Sequence, residues 1–391
     1  MAISSNEGRC TQCHISYGWK SGTDTDTFFN TPENIDCLIC HDTTGTYRKH
    51  PSADGGGGPA SLLVDGEVVP VIEMSELNDV AQNVGAPSRA NCGLCHYFAG
   101  GDDNVKHGDL STDLNDATNE QDVHMGGLDY SCQKCHVSQN HKIAGTTAVH
   151  SDEGEVACAD CHNVADLHSA TPLLANHTDT VACQVCHIPT FSRTMATNVS
   201  WDWEKAGPGN CTDTELQFDR APCSEKKGEF VWDMDVTPTY LWFDGQWARK
   251  VVNVSDTYTE AGTEEDPVVL AAPTATAETE GAKIYPFKKM VGRQPADPVN
   301  QLMLVPHLFG TGPGPDPYWV SFDWGLAVAE GAAYAGQDYS GDYEFVNTVM
   351  YLSINHEVAP ATEALQCADC HGAASFWEPL GIDNPYDMPG E

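Results

Sequence analysis

The sequence predicts a chain that is mostly coil, with short helices and few β hairpins packed around a row of rigid, covalently held plates. Three observations predict it. A five-residue cysteine and histidine motif recurs seven times, six of the copies fall in the first 187 residues, and a long stretch without the motif carries seven of the nine tryptophans.

The motif is C-x-x-C-H. It occurs at Cys10, Cys13 and His14, at Cys37, Cys40 and His41, at Cys92, Cys95 and His96, and at Cys132, Cys135 and His136. It returns at Cys158, Cys161 and His162, at Cys183, Cys186 and His187, and at Cys367, Cys370 and His371. With 16 Cys and 16 His among 391 residues, chance would supply roughly 0.03 copies. Two cysteines three apart on one helical turn can form thioethers to the two vinyl groups of one haem. The next residue then aims its imidazole at the iron. The fold class is therefore that of a multihaem cytochrome c with seven covalent haems c, whose proximal ligands are His14, His41, His96, His136, His162, His187 and His371. Zinc is the alternative use of such cysteines, but zinc sites pair two C-x-x-C units, and seven is odd. A thioredoxin-like redox pair would occur once, beside a βαβ pattern.

Six haems before residue 188 leave little room for a conventional apolar core, so the plates themselves supply the buried surface. Short turns and long loops suffice around them, and Gly55 to Gly58 with Pro51, Pro59 and Pro87 read as such loops. Residues 1–187 thus form a six-haem domain. Residues 188–366 form a tryptophan-rich domain with few cysteines, including Trp201, Trp203, Trp232, Trp242 and Trp247, long enough to bury its own core. Within it, Thr239 to Gln246 and Lys250 to Val254 read as β hairpins, and Asp256 to Lys283, rich in Thr, Ala and Glu, as an exposed loop. Residues 367–391 return to the haem row with the seventh motif.

Cys211 and Cys223 are left over, twelve apart, and Ser224 follows the second. A disulfide is the natural reading, worth roughly 3 kcal/mol in the chain-entropy model. The competing reading, a haem site with a long cysteine spacing, lacks the histidine it needs.

Low-spin electron-transfer haems need a second strong axial ligand. Nine histidines lie outside the motifs. We assign His107, His124, His141, His168, His177, His307 and His356 as distal ligands and leave His50 and His150 as spares. Two imidazoles close both faces of an iron and leave no position for a substrate.

A formal net charge of -38, from 19 Lys and Arg against 57 Asp and Glu, excludes nucleic acid as a partner and disfavours anionic membranes. No span of 18 apolar residues exists to form a membrane helix. Met1-Ala-Ile-Ser-Ser shows neither the basic nor the apolar part of a signal peptide. Haem c attachment and a spare cysteine pair nonetheless belong to an oxidising compartment, so the true N-terminus is expected upstream. The N-x-S/T triplets at Asn176, Asn198, Asn210 and Asn253 read as chance occurrences rather than glycan sites.

Longer stretches carry a family resemblance. Arg9-Cys-Thr-Gln-Cys-His-Ile-Ser-Tyr-Gly-Trp-Lys20, Asp36-Cys-Leu-Ile-Cys-His-Asp-Thr-Thr-Gly-Thr-Tyr47, Val105-Lys-His-Gly-Asp109, Asp122-Val-His-Met-Gly126 and Asn140-His-Lys-Ile-Ala-Gly145 are similar to the octahaem tetrathionate reductase family of c-type cytochromes. The likeness continues through Cys186-His-Ile-Pro-Thr190, Trp201-Asp-Trp203, Pro286-Phe-Lys288, Pro306-His-Leu-Phe-Gly310 and Cys367-Ala-Asp-Cys-His371. It implies a haem chain with sparse secondary structure and a periplasmic or cell-surface location. In the family's enzymatic members it implies reduction of tetrathionate, nitrite or hydroxylamine at one haem ligated by lysine, the position that Lys20 matches. The sequence departs from the family in lacking its first haem and the segment before it, in its acidity, and in the Cys211 and Cys223 pair.

Two functions follow as expectations. The first is an extracellular or cell-surface electron carrier, periplasmic in the alternative, serving redox partner proteins or an extracellular acceptor and able to stack into a homopolymeric haem wire in which His50 reaches a neighbour's haem. The second is a reductase of a sulfur or nitrogen oxyanion at a Lys20-ligated haem, with Arg9, Lys106 or the Lys288-Lys289 pair attracting the anion.

Overall fold

A computed structural model describes residues 31–47, 61–64, 67–70, 74–144, 156–249, 253–309, 317–372, 374–377 and 380–382. Cys10, Cys13, His14, Lys20, Arg9, His50 and His150 lie outside them.

Each described motif begins on a short helical turn. Four- and five-residue helices such as Cys37–His41, Cys158–Cys161, Cys183–His187 and Cys367–His371 are too short to persist alone. Local caps and surrounding packing hold them. The Asp36 side chain accepts the amide of Leu38 at 3.2 Å, and Ser88 and Asn91 form a reciprocal capping box at the start of Arg89–His96. Asn163 caps the turn Val164–Leu167 that leads to His168. On such a turn, residues three and four apart share a face, so both thiols and the imidazole point to the same side.

Among the described residues of the motif-rich half, coil and short turns dominate, with two small antiparallel pairs, β1 (Ser61–Val64) with β2 (Glu67–Pro70) and β3 (Ser138–Gln139) with β4 (Lys142–Ile143). The rest departs from the expectation of few hairpins. A nine-stranded mixed sheet is built from β5 (Thr197–Asp202), β6 (Cys223–Ser224), β7 (Gly228–Asp233), β8 (Thr239–Phe243), β9 (Trp247–Arg249), β10 (Val268–Pro273), β11 (Lys283–Asp297), β12 (Leu302–Met303) and β13 (Glu344–Ser353). The main order is β6-β7-β5-β11-β13-β10-β9, with β8 and β12 also pairing β11. β11 runs parallel to β5 and β10 parallel to β13, pairings no hairpin can make.

Two local expectations are therefore corrected. Thr239–Phe243 pairs with β11 instead of forming a hairpin of its own, while in the second expected hairpin, Lys250 to Val254, residues 250–252 lie outside the described residues. The Asp256 to Lys283 stretch holds β10, where Val268 is wholly buried and Ala271 nearly so; Val268, Leu270 and Tyr258 pack there against Ala296 and Val346. Burial of these few apolar residues outweighs the loop-like composition around them.

The sheet carries an apolar core of its own. Val185 of the Cys183–His187 turn packs with Trp242, Ile284, Phe287, Trp377 and Leu380, which ties the sixth motif and the chain's end to the sheet. The Cys211–Cys223 disulfide is formed, with Cα atoms 5.5 Å apart. Among the described residues no helix is long and apolar enough to cross a membrane.

Candidate haem-binding site

The histidines come together in twos. Ring centroids of His41 and His141 are 6.2 Å apart, those of His124 and His162 6.0 Å, and those of His136 and His356 6.3 Å. His168 and His187 stand at 6.3 Å, and His177 and His371 at 6.1 Å. Every pair joins one motif histidine to one histidine from outside the motifs. A metal–imidazole bond of about 2 Å on each face, plus the radius of two five-membered rings, puts the centroids of two axial ligands roughly 6 Å apart. The pairs therefore fit two imidazoles clasping one haem iron.

The ring nitrogens agree with that use. His41 Nδ1 donates to the Gly85 carbonyl at 2.8 Å, His136 Nδ1 to Ala144 at 3.2 Å, His168 Nδ1 to Val164 at 3.0 Å and His177 Nδ1 to Leu173 at 2.9 Å. His356 Nδ1 donates to the Asp109 carboxylate at 3.1 Å and His307 Nδ1 to that of Glu330 at 2.9 Å. Holding Nδ1–H in this way fixes the tautomer and leaves Nε2 as the metal-binding atom. Burial pushes the pKa of His107 down to about 4 and lowers that of His187, which keeps both imidazoles in the neutral form that ligates. At His356 burial acts in the same direction, but the Asp109 carboxylate reverses it and carries the pKa up to about 9.

The thiols of successive motifs are neighbours. Cys92 and Cys132 share a hydrogen bond, as do Cys158 and Cys183. That shared hydrogen bond holds the pKa of Cys132 and of Cys183 down and pushes that of the partner thiol up. Cys40 lies within electrostatic reach of Cys92, Cys135 of Cys161, and Cys186 of both Cys367 and Cys370. Among the described residues no three His, Cys, Asp or Glu side chains converge as a metal cage, which is what a structural zinc site would need.

Of the seven histidines assigned as distal ligands, five (His124, His141, His168, His177 and His356) face a motif histidine. Among the described residues His107 faces no motif histidine, and His96 is the described motif histidine without a facing imidazole there. His307 is held on a strap in the sheet region. Its amide donates to the Ala327 carbonyl and its carbonyl accepts from Tyr318. A Cβ on Gly331 would meet Val305 O at 1.9 Å and His307 N at 2.6 Å, so the helix Trp324–Ala335 seats directly on this strap.

Of the basic residues considered for an anion, Lys288 and Lys289 do not act together. Lys289 is exposed, whereas Lys288 points inward from the other face of β11, wholly buried. Its Nζ donates to Val105 O at 2.8 Å and Thr197 Oγ1 at 2.6 Å. Of the four N-x-S/T positions, Asn198 is wholly buried in β5, closed to any glycan.

Sequence alone could not pair the histidines, because each partner comes from a distant segment. Nor could it find Asp109 and Glu330, whose role depends on contacts formed only in the fold.

Comparison with known proteins points to the cytochromes c. The profile of the family described as "Cytochrome c bacterial" matches residues 198–374. A solved structure described as an octaheme cytochrome c from Shewanella oneidensis superposes with a TM-score of 0.78 at 37% identity, over 98% of this chain and 82% of that one. An uncharacterised protein of Archaeoglobus fulgidus is 32% identical over 139 residues. That match spans 32% of this chain and 43% of the relative, less than half its length.

Proposed function

The chain belongs to the family of multihaem c-type cytochromes, and from that premise we propose that it is an electron-transfer protein holding seven covalent haems c in a row that follows sequence order. The five imidazole pairs, at 6.0 to 6.3 Å, carry this reading. When bound, each haem supplies a reversible one-electron iron couple.

The chain's residues do the rest. In each motif two thiols anchor a macrocycle and the following histidine takes one axial position. At five sites an imidazole from another segment stands opposite it and would hold the other face of a bound haem, which would leave a substrate no open position and let the charge change with little rearrangement. The thiol contacts support the order Cys40, Cys92, Cys132, Cys161, Cys183, Cys370 along the row, so haems held by successive motifs would be neighbours. Thioether attachment and the Cys211–Cys223 bond both favour an exported protein, in the periplasm or at the cell surface.

Low-temperature electron paramagnetic resonance of the oxidised, haem-loaded protein tests the reading. Dominant low-spin bis-imidazole signals that reduce in successive one-electron steps are expected. High-spin signals accounting for most of the iron would end it.

A further inference from the structure

Among the described residues, His136 and His356 form the one facing pair in which a carboxylate is hydrogen-bonded to a ring nitrogen; the nitrogens of His41, His168 and His177 reach backbone carbonyls. The carboxylate is built into place. Asp109 has a side chain 2% exposed, and its Oδ2 accepts three donors: the Asn355 amide at 2.8 Å, the His356 amide at 3.0 Å and His356 Nδ1 at 3.1 Å. The preceding Gly108 has φ +89°, and a Cβ there would come within 2.7 Å of Phe191 and 3.1 Å of Lys288. Lys288 in turn ties the backbone of Val105 to Thr197. The 105–109 strap is thus pinned at both ends, and Asp109 has no freedom to turn away from the imidazole.

A carboxylate drawing on Nδ1–H raises the electron density at Nε2 and makes the imidazole a more basic ligand, which favours the more highly charged ferric iron. A buried negative charge acts in the same direction.

We propose that Asp109 is a positioning residue that tunes a single haem: by accepting the Nδ1 proton of His356 it fixes Nε2 on the iron shared with His136 and lowers that site's reduction potential. The inference rests on the bis-imidazole reading above and adds to it an individual setting for one member of the row.

The test is Asp109→Asn in the haem-loaded protein, followed by spectroelectrochemistry with near-infrared magnetic circular dichroism to resolve individual haems. One site should become easier to reduce by about tenfold or more in its equilibrium constant, about 59 mV for a one-electron couple. Its near-infrared band should move to lower energy, while the remaining sites hold their potentials. Unchanged potentials in a fully haem-loaded, low-spin variant would overturn the role of Asp109 and leave the bis-imidazole reading intact. If the variant does not fold, the wild-type protein decides: one bis-imidazole band at higher energy than the others supports the inference, and uniform bands overturn it. A wild-type protein without bis-imidazole signals fails the parent reading instead.

Discussion

His177 and His371 face each other with ring centroids 6.1 Å apart and planes 86° from parallel. The first ends a short helix ahead of the sixth motif, and the second closes the last motif after the whole sheet has intervened. On the proposed reading the pair accounts for the chain's return to the haem row: a haem at the last motif would take its second axial ligand from the earlier segment.

His177→Ala should therefore convert one haem, and one alone, from low-spin to high-spin without loss of covalent haem. Magnetic circular dichroism of the ferric protein reads the change. Retention of a fully low-spin spectrum would mean that His177 is not an axial ligand.

Lys288 makes the stability depend on pH in a definite sense. Burial pushes its pKa down from the ordinary 10.5 to about 7, partly opposed by the Asp109 charge. Between those values the unfolded lysine holds a proton that the folded one has released, so unfolding takes up a proton and this group's contribution to stability rises with pH. In thermal unfolding of the haem-loaded protein, the wild type should gain on Lys288→Met steadily from pH 7 toward pH 10. A difference that stays flat, or shrinks, would show that the lysine remains protonated in the fold.

The motifs and the leftover cysteine pair were legible in the sequence because their chemistry depends on spacing alone. The sheet was not. Its central strand, Lys283–Asp297, contains Pro286, Pro295, Gly292, Lys288, Lys289 and Arg293, residues that locally argue against a buried strand. Long-range pairing settles the matter: β13 runs alongside β11 from Phe287 opposite Ser353 to Ala296 opposite Glu344. The facing histidines were similarly hidden, since His141 lies just after the His136 motif yet faces His41. Proximity in sequence was a poor guide to which iron an imidazole reaches.

Replacing Cys211 and Cys223 together by serine should lower stability by about 3 kcal/mol through the freed loop in the unfolded chain. Haem content and potentials should not move, because the bond lies outside the motifs. Loss of haem in this variant would place the disulfide within the haem-holding structure.

Gly331→Ala should cost roughly 1–3 kcal/mol by overpacking, since its new methyl would press on Val305 and His307. Denaturant unfolding of the haem-loaded protein measures it. A variant as stable as the wild type would mean that the helix and the strap are not in contact there.

The most direct test is mass spectrometry of peptides from the protein matured in a host with c-type attachment machinery. Seven peptides, each spanning one C-x-x-C-H motif and each heavier by one haem, are expected. Motif peptides at their bare polypeptide mass would contradict the central claim that these cysteines and histidines exist to hold haem.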